Sequence, residues 1–281
     1  MMEGGFRLLG KKLSDSEDKP LVSIVTVTFN SQRYVDQTIR SVLEQTYDNI
    51  EYIIIDGLSA DNTLDIIKGY ENRIAYWRSE KDRGIGDAFN KGIDAASGSI
   101  IGIINSDDWY EKNAVGKVVD AFISNKTAGI VCGNVQYWKN EARDFIFTSS
   151  PDLLVDEMTI NHPGVFVKKE IYRKFGGFDI SYKYAMDYEL MLRFHQNGVV
   201  FMNLHSVISN MRFGGVSDDR WISGILEGRR AKLDYFPSAK VNSYAIKQII
   251  RTFSARTFLY LKLEFIVRFY RKYFAKVKKL K

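Results

Sequence analysis

Ile100-Ile101-Gly102-Ile103-Ile104-Asn105-Ser106-Asp107-Asp108 is an apolar run that ends on two adjacent acids. Such a run predicts a strand buried on both faces, as in a parallel sheet covered by helices. Its carboxyl end opens onto a charged loop, and in open α/β sheets ligands sit at that edge. Neighbouring carboxylates repel one another unless a cation or hydrogen-bond donors satisfy them. An oxygen-rich pair suits Mg²⁺ or Mn²⁺ shared with a substrate's phosphates. Acids in a loop are more often plain solvated surface, so the reading depends on what else reaches the same edge.

Working outward, residues 21–28 form a β-branched run that predicts a first buried strand. Ser31 can cap a following helix with Tyr34, Val35, Ile39, Val42 and Leu43 on its apolar face. Residues 50–55 predict a second strand ending at Asp56, and 74–77 a third. A helix over 87–96 then leads into the run at Ile100. Strands alternating with helices predict a parallel sheet, and right-handed crossovers place all strand ends on one rim. Thr28, Asp56 and Asp107-Asp108 then share that rim. Downstream the pattern is mixed: helices over 115–122, 169–175 and 185–196, and short strands over 129–137, 145–147 and 165–167.

The chain has 281 residues, enough for one large α/β domain with an appendage. One cysteine, Cys132, rules out a disulfide framework, and with only three histidines a zinc site has too few ligands. Residues 1–20 lack the apolar core of a secretory signal and predict a loose leader. No run of about eighteen apolar residues predicts a transmembrane helix. The net charge of +6 is unevenly placed: from Lys240 onward twelve Lys and Arg face a single acid, Glu264. The rest of the chain is net negative, so the basic character belongs to the tail.

The strand end Val27-Thr28-Phe29-Asn30-Ser31 has no glycine-rich turn, which excludes a dinucleotide fingerprint. A P-loop is absent as well. In Asp56-Gly57-Leu58-Ser59-Ala60-Asp61 a strand-end carboxylate could accept from a base-edge N–H or a ribose hydroxyl. The competing readings are a turn former at Asp56 and a helix cap at Asp61. Lys81, Arg83 and Gly84 lie in a glycine-containing loop suited to a diphosphate, or form an ordinary charged surface.

Taken in order, Val22-Ser23-Ile24-Val25-Thr26-Val27-Thr28-Phe29-Asn30, Asp56-Gly57-x-Ser59-x-Asp61, Asp82-x-Gly84-Ile85-x-Asp87-Ala88-x-Asn90-Lys91-Gly92 and Asn105-Ser106-Asp107-Asp108 resemble the family 2 glycosyltransferases. Phe175-Gly176-Gly177-Phe178-Asp179 and Ala185-Met186-Asp187-Tyr188-Glu189-Leu190 resemble the family's acceptor-side segment. The branch that builds bacterial surface polysaccharides is the most similar. The resemblance implies an α/β GT-A fold with a mixed, mainly parallel sheet and C-terminal amphipathic helices. It implies a catalytic domain over 21–235, with a donor half to about 110 and an acceptor half beyond, and a basic helical tail over 236–281.

The resemblance also implies a nucleotide-sugar donor, UDP-linked, with Mg²⁺ or Mn²⁺ and inversion at the anomeric carbon. Thr28, Asn30 and Asp56 would hold the nucleoside, and Lys81, Arg83 and Gly84 would lie near the diphosphate or base. Asp107 would face the ribose or metal, and Asp108 would be the direct metal ligand. Many relatives carry an acid where this chain has Asn105. Asp187 matches the position of the base that deprotonates the acceptor; a helix cap is the competing reading. From the residues themselves, His162 in a loop before a strand could contact acceptor or phosphate, or be a structural loop histidine, and Arg212 beside Gly214-Gly215 could belong to a lid or to a plain glycine turn. The alternative is a non-catalytic nucleotide-sugar-binding partner of another transferase.

From Phe258 on, Leu259, Leu263, Ile266, Tyr270, Tyr273, Phe274 and Val277 fall on one helical face, with Arg and Lys mostly opposite. That pattern suits a helix lying in the plane of an anionic membrane surface, here the cytoplasmic face. A helix packed on the catalytic domain or a second subunit is the competing reading. No nucleic-acid module is present. Donor sugar, acceptor, linkage and oligomeric state leave no mark in the sequence.

Overall fold

The computed structural model describes residues 1–214 and 220–263, with positions 265, 266, 269, 273, 278 and 279 beyond. Strand β1 (Met2–Gly4) is followed by β2 (Val22–Thr28), helix α1 (Val35–Leu43), β3 (Ile50–Asp56) and α2 (Thr63–Gly69). Then come β4 (Tyr76–Ser79), α3 (Ile85–Ala95) and β5 (Ile100–Asn105). Pairing of β2 with β3, β3 with β4 and β2 with β5 is parallel, as the apolar runs require. The register sets Thr28 opposite Asp56, Asp56 opposite Ser79 and Val27 opposite Asn105. The strand ends therefore share one rim.

Both faces of these strands are buried, which is why polar residues do not alternate along them. Val25, Val27, Ile53, Ile55, Ile101 and Ile103 pack on one side with Phe89 of α3. Ile24, Tyr52, Ile54, Ile100 and Ile104 pack on the other with Val35, Ile39 and Val42 of α1. α3 approaches the sheet closely at Gly92, where a Cβ would stand 2.2 Å from Val25 Cγ1. Only a glycine lets α3 lie that near β2.

The second half adds β6 (Trp109–Tyr110), α4 (Ala114–Ser124), β7 (Ile130–Lys139) and β8 (Ala142–Phe147). It continues with β9 (Val165–Lys168), α5 (Lys169–Phe175), α6 (Met186–Gln196) and the long β10 (Phe201–Arg212). β9 runs antiparallel to both β5 and β7, and β10 runs parallel to β7. The strand order is β1-β4-β3-β2-β5-β9-β7-β10-β6, with β8 paired on β7. This is the expected mixed sheet, and its longest ladders are parallel. Within β10 the register shifts around His205, whose φ is 44°.

Residues 1–20 depart in part from a loose leader. β1 pairs with β4, the Phe6 N–H donates to the Ile74 carbonyl, and Arg7 pairs with the buried Glu51 at 2.9 Å. The physical cause is Glu51, which also accepts from Ser23, Ser97 and the Ser97 amide. A buried carboxylate needs its charge matched, and Arg7 supplies the cation.

The chain ends in α7 (Trp221–Leu233), α8 (Ser238–Tyr260) and a two-residue strand, β11 (Lys278–Lys279), on β8. α8 buries Val241 and Ala245 and leaves Ile246, Ile250 and Phe253 more than half exposed. Gly215, Tyr270, Phe274 and Val277, named in the sequence reading, lie outside the described residues, as does the side chain of Leu259. Among the described residues no helix is long and apolar enough to cross a membrane.

Candidate active site

The carboxyl ends of the parallel strands open on a cleft of about 1920 Å³. Thr28, Asn30, Lys81, Gly84 and Asp107 line its sheet side. His162, Asp187 and Arg212, from the second half, line it as well. The two halves thus bring together eight of the residues singled out by sequence. Asp56, Arg83 and Asp108 are absent from the lining.

Asp56 is 1% exposed and fully employed. Its carboxylate accepts from the Ser59 amide at 3.1 Å, the Ser59 hydroxyl at 2.5 Å and the Ser79 hydroxyl at 2.6 Å. Ser59 Oγ in turn accepts from the Asn30 N–H, and the Asn30 side-chain oxygen accepts from the Ala60 N–H. Asp56 and Asn30 therefore tie the loops after β2 and β3 together. The turn-former reading of Asp56 describes its contacts, while Thr28 Oγ1 is buried with no partner at the cleft wall.

Arg83 folds back on α3 and donates to Asp87 from Nη2 at 2.8 Å and Nε at 3.2 Å. Lys81, by contrast, is exposed on the cleft. Gly84 precedes α3 with φ 115°, a left-handed value that a side chain would strain, and its N–H donates to Asp82.

The loop after β5 divides the two acids. Asp107 faces the cleft; Asp108 is 1% exposed and turned into the protein. The Thr38 hydroxyl donates to the Asp108 carbonyl at 2.6 Å, and Asp108 Oδ1 accepts from the Arg212 N–H at 3.2 Å. Asp108 Oδ2 and Asn105 Oδ1 are buried without partners. Burial pushes the Asp107 carboxyl above its usual range, and burial plus the Asp107 charge pushes Asp108 further. The sequence reading gave Asp108 the metal; the carboxylate that lines the cleft is that of Asp107. The cause is the Asp108 backbone, pinned by Thr38 and Arg212, which aims the side chain inward.

Arg212 clamps this loop from β10. Its guanidinium lies between the rings of Tyr34 at 4.1 Å and Trp109 at 4.6 Å, and it donates to the Asp107 carbonyl and to Gln37 Oε1. With both terminal nitrogens so engaged, Arg212 braces the loop that holds the acids.

On the second half, Asp187 sits in the first turn of α6 with its side chain 36% exposed. Oδ1 has no hydrogen-bond partner among the described residues and lies 3.8 Å from His162 Nδ1. His162 stacks on Phe89 with centroids 4.7 Å apart, and burial holds its pKa below the usual range against the pull of Asp187. Glu227 of α7 accepts from the backbone N–H groups of Lys183, Tyr184 and Ala185, at 3.0, 2.7 and 2.9 Å. Those amides lead directly into α6, so Glu227 fixes where Asp187 points. Sequence reading missed Glu227; its only signal was an acid on a helix far along the chain.

Among the described residues four acceptors without partners, on Thr28, Asn105, Asp108 and Asp187, are buried in or just behind the walls of this cleft. Acceptors left so are costly and call for a donor or a cation from a ligand. Among the described residues no three His, Cys, Asp or Glu side chains converge as a self-sufficient metal site. At the end of β5 only Asp107 turns its carboxylate to the lining, so a divalent ion fits there with further ligands supplied by a bound phosphate.

The model of Glycosyl transferase family 2 matches residues 23–190. An uncharacterized glycosyltransferase of Mycobacterium tuberculosis is 32% identical over 179 residues, 62% of this chain and 68% of the relative. Among solved structures, Staphylococcus aureus TarS 1–349 in complex with UDP-GlcNAc superposes with a TM-score of 0.61 at 17% identity, over 83% of this chain and 72% of that one. The mannosyltransferase PcManGT of Pyrobaculum calidifontis, in complex with GDP-Man and Mn²⁺, gives 0.60 at 15% identity, over 95% and 86%.

Proposed function

The chain belongs to glycosyl transferase family 2, and from that premise we propose that it inverts an anomeric centre while moving a sugar from a UDP-linked donor to a glycan or lipid-linked acceptor. The observation that carries this is the set of unpartnered acceptors, Thr28 Oγ1, Asn105 Oδ1 and Asp187 Oδ1, on residues lining one cleft. Nothing among the described residues satisfies them, and a donor nucleotide and an acceptor hydroxyl would.

In this reading Thr28 accepts from the nucleoside and Lys81 offsets diphosphate charge. Asp107 would hold Mg²⁺ or Mn²⁺ together with the donor's phosphates, and the ion when bound neutralises the leaving diphosphate. Asp108 and Arg212 position Asp107. Asp187 takes the proton of the acceptor hydroxyl as its oxygen bonds to the anomeric carbon. The bond to the diphosphate breaks, and its electron pair leaves with the nucleotide. A single displacement of this kind inverts the centre. A non-catalytic nucleotide-sugar binder would have no use for the open carboxylate of Asp187.

We place the enzyme at the cytoplasmic membrane face in the synthesis of surface polysaccharide or glycolipid. The basic tail and the exposed Ile246, Ile250 and Phe253 support that location. A thermal-shift screen of UDP-, GDP- and dTDP-sugars with Mn²⁺ tests the donor, because a ligand bound only to the native state raises the melting temperature. A shift with UDP-sugars is expected; a shift with GDP-sugars alone would move the donor to the other nucleotide, and none at all would defeat the reading.

A further inference from the structure

The cleft continues past Asp187 into a groove formed with α7 and α8. Tyr184, Tyr188, Trp221 and Tyr244 line it. So do five cations, Lys183, Arg229, Lys232, Arg251 and Arg256, against one acid there, Glu157. Gly224 and Gly228 lie one turn apart on α7, where Cβ atoms would stand 3.8 Å from Tyr184 and 3.5 Å from Tyr188. Their lack of side chains keeps this wall open.

The cations are held in place. Arg229 Nε donates to Asn242 Oδ1 at 2.6 Å, Arg251 pairs with Glu157, and Arg256 lies over the Trp221 ring at 5.5 Å. Lys232 is buried, its ammonium 3.9 Å from the Tyr244 ring centroid and donating to the Asp156 carbonyl. Burial lowers its pKa to about 8, so it stays mainly charged at neutral pH. Charge of one sign along a walled groove focuses the field on an anion. Guanidinium groups match phosphoryl oxygens in geometry, and the tyrosine and tryptophan faces offer apolar area to a sugar ring.

We propose that this groove is an acceptor subsite for a sugar carrying a phosphoryl group, with the phosphate among Arg229, Lys232 and Arg256 and the sugar on the aromatic wall toward Asp187. The inference rests on Asp187 being the acceptor-side base. A lipid carrier phosphate and a phosphate within the glycan share this chemistry.

The test uses the full chain saturated with UDP and Mn²⁺, so that the donor end is filled. Glucose 1-phosphate, farnesyl phosphate and neutral methyl glucoside are titrated by calorimetry. Both phosphates are expected to bind at least tenfold more tightly than the neutral glycoside. The double variant Arg229→Gln/Arg256→Gln should weaken both at least tenfold and leave UDP affinity within twofold, which also reports an intact fold. Tighter binding of farnesyl phosphate would assign the group to a lipid carrier; equal binding would assign it to the glycan, and both support the subsite. Phosphate binding that survives the double substitution, or no binding to UDP-filled protein, overturns it. Failure of UDP itself to bind would instead defeat the donor reading beneath, and the subsite with it.

Discussion

His162 Nδ1 stands 3.8 Å from Asp187 Oδ1, too far for a hydrogen bond and close enough for charge to be felt. The imidazole is wedged against Phe89 and Phe178, so it holds that distance rather than swinging away. Asp187 is left with an oxygen that no group among the described residues uses. The pair joins the loop before β9 to the start of α6, where the proposed mechanism puts the acceptor hydroxyl.

Asp187→Asn keeps the shape of the side chain and removes its capacity to take a proton. General-base catalysis typically contributes about 10²- to 10⁴-fold, and turnover should fall by that order. The thermal shift caused by UDP should persist. Turnover equal to the parent's would remove Asp187 from the mechanism.

His162 is kept neutral by burial, with a folded pKa below the value of about 6.5 in an unfolded chain. Its contribution to stability is complete above that pH and is lost as pH falls through the lowered folded value, because the unfolded state then binds the extra proton. His162→Phe preserves the ring stack and should flatten the decline of melting temperature between neutral pH and pH 5. Parallel curves for the two proteins would contradict the assignment.

Asp107→Asn should abolish the Mn²⁺ dependence of UDP binding and cost on the order of 10³-fold in turnover, as for loss of a group facing developing charge. Asp108→Asn retains an oxygen for the Arg212 amide and should cost about 10- to 100-fold, the range for a residue that orients a ligand. Mn²⁺ titrations in the presence of UDP separate the two. A larger loss for Asp108 would favour Asp108 as the direct metal ligand, the division expected from sequence.

Arg212→Lys keeps the charge and loses the planar group held between Tyr34 and Trp109. A lysine cannot donate to both the Asp107 carbonyl and Gln37 in that geometry. Charge-assisted hydrogen bonds contribute about 1.5–3 kcal/mol, and stability in urea should drop by that order, together with donor affinity. A variant as stable as the parent would show that the loop holds without its clamp.

Ile250→Asp/Phe253→Asp places two charges on the exposed face of α8. Burying such a side chain is worth about 1.5–3 kcal/mol, so binding to phosphatidylglycerol vesicles should weaken by tenfold or more. Binding of the parent should fall with salt. Sedimentation that does not distinguish the two proteins would exclude this face as the membrane contact.

The donor half was legible because each strand is a long apolar run and each strand end carries a polar motif. β2, β3 and β5 lie within a residue or so of the predicted strands. The segment from Met2 to Arg7 was not legible, because its anchor is the distant Glu51, a glutamate inside a strand pattern. Nor was β10, whose irregular register around His205 breaks any period. In the site, residue types were readable and side-chain directions were not. Asp56 and Asp107 look alike in sequence, but the Ser59 and Ser79 hydroxyls consume one and leave the other open. Asp187 was found through its motif; His162 and Glu227, which set its surroundings, are placed by tertiary contacts alone.

The strands at the two borders of the main sheet path, β1 and β6, are three and two residues long. Short margins offer little template for another chain to extend the sheet. β1 also covers the hydrogen-bonding side of β4. A chain cut just before Val22 would keep every residue of the cleft and yet bare the β4 ladder. Its failing would be colloidal rather than chemical: molecules joining edge to edge, with their active sites intact.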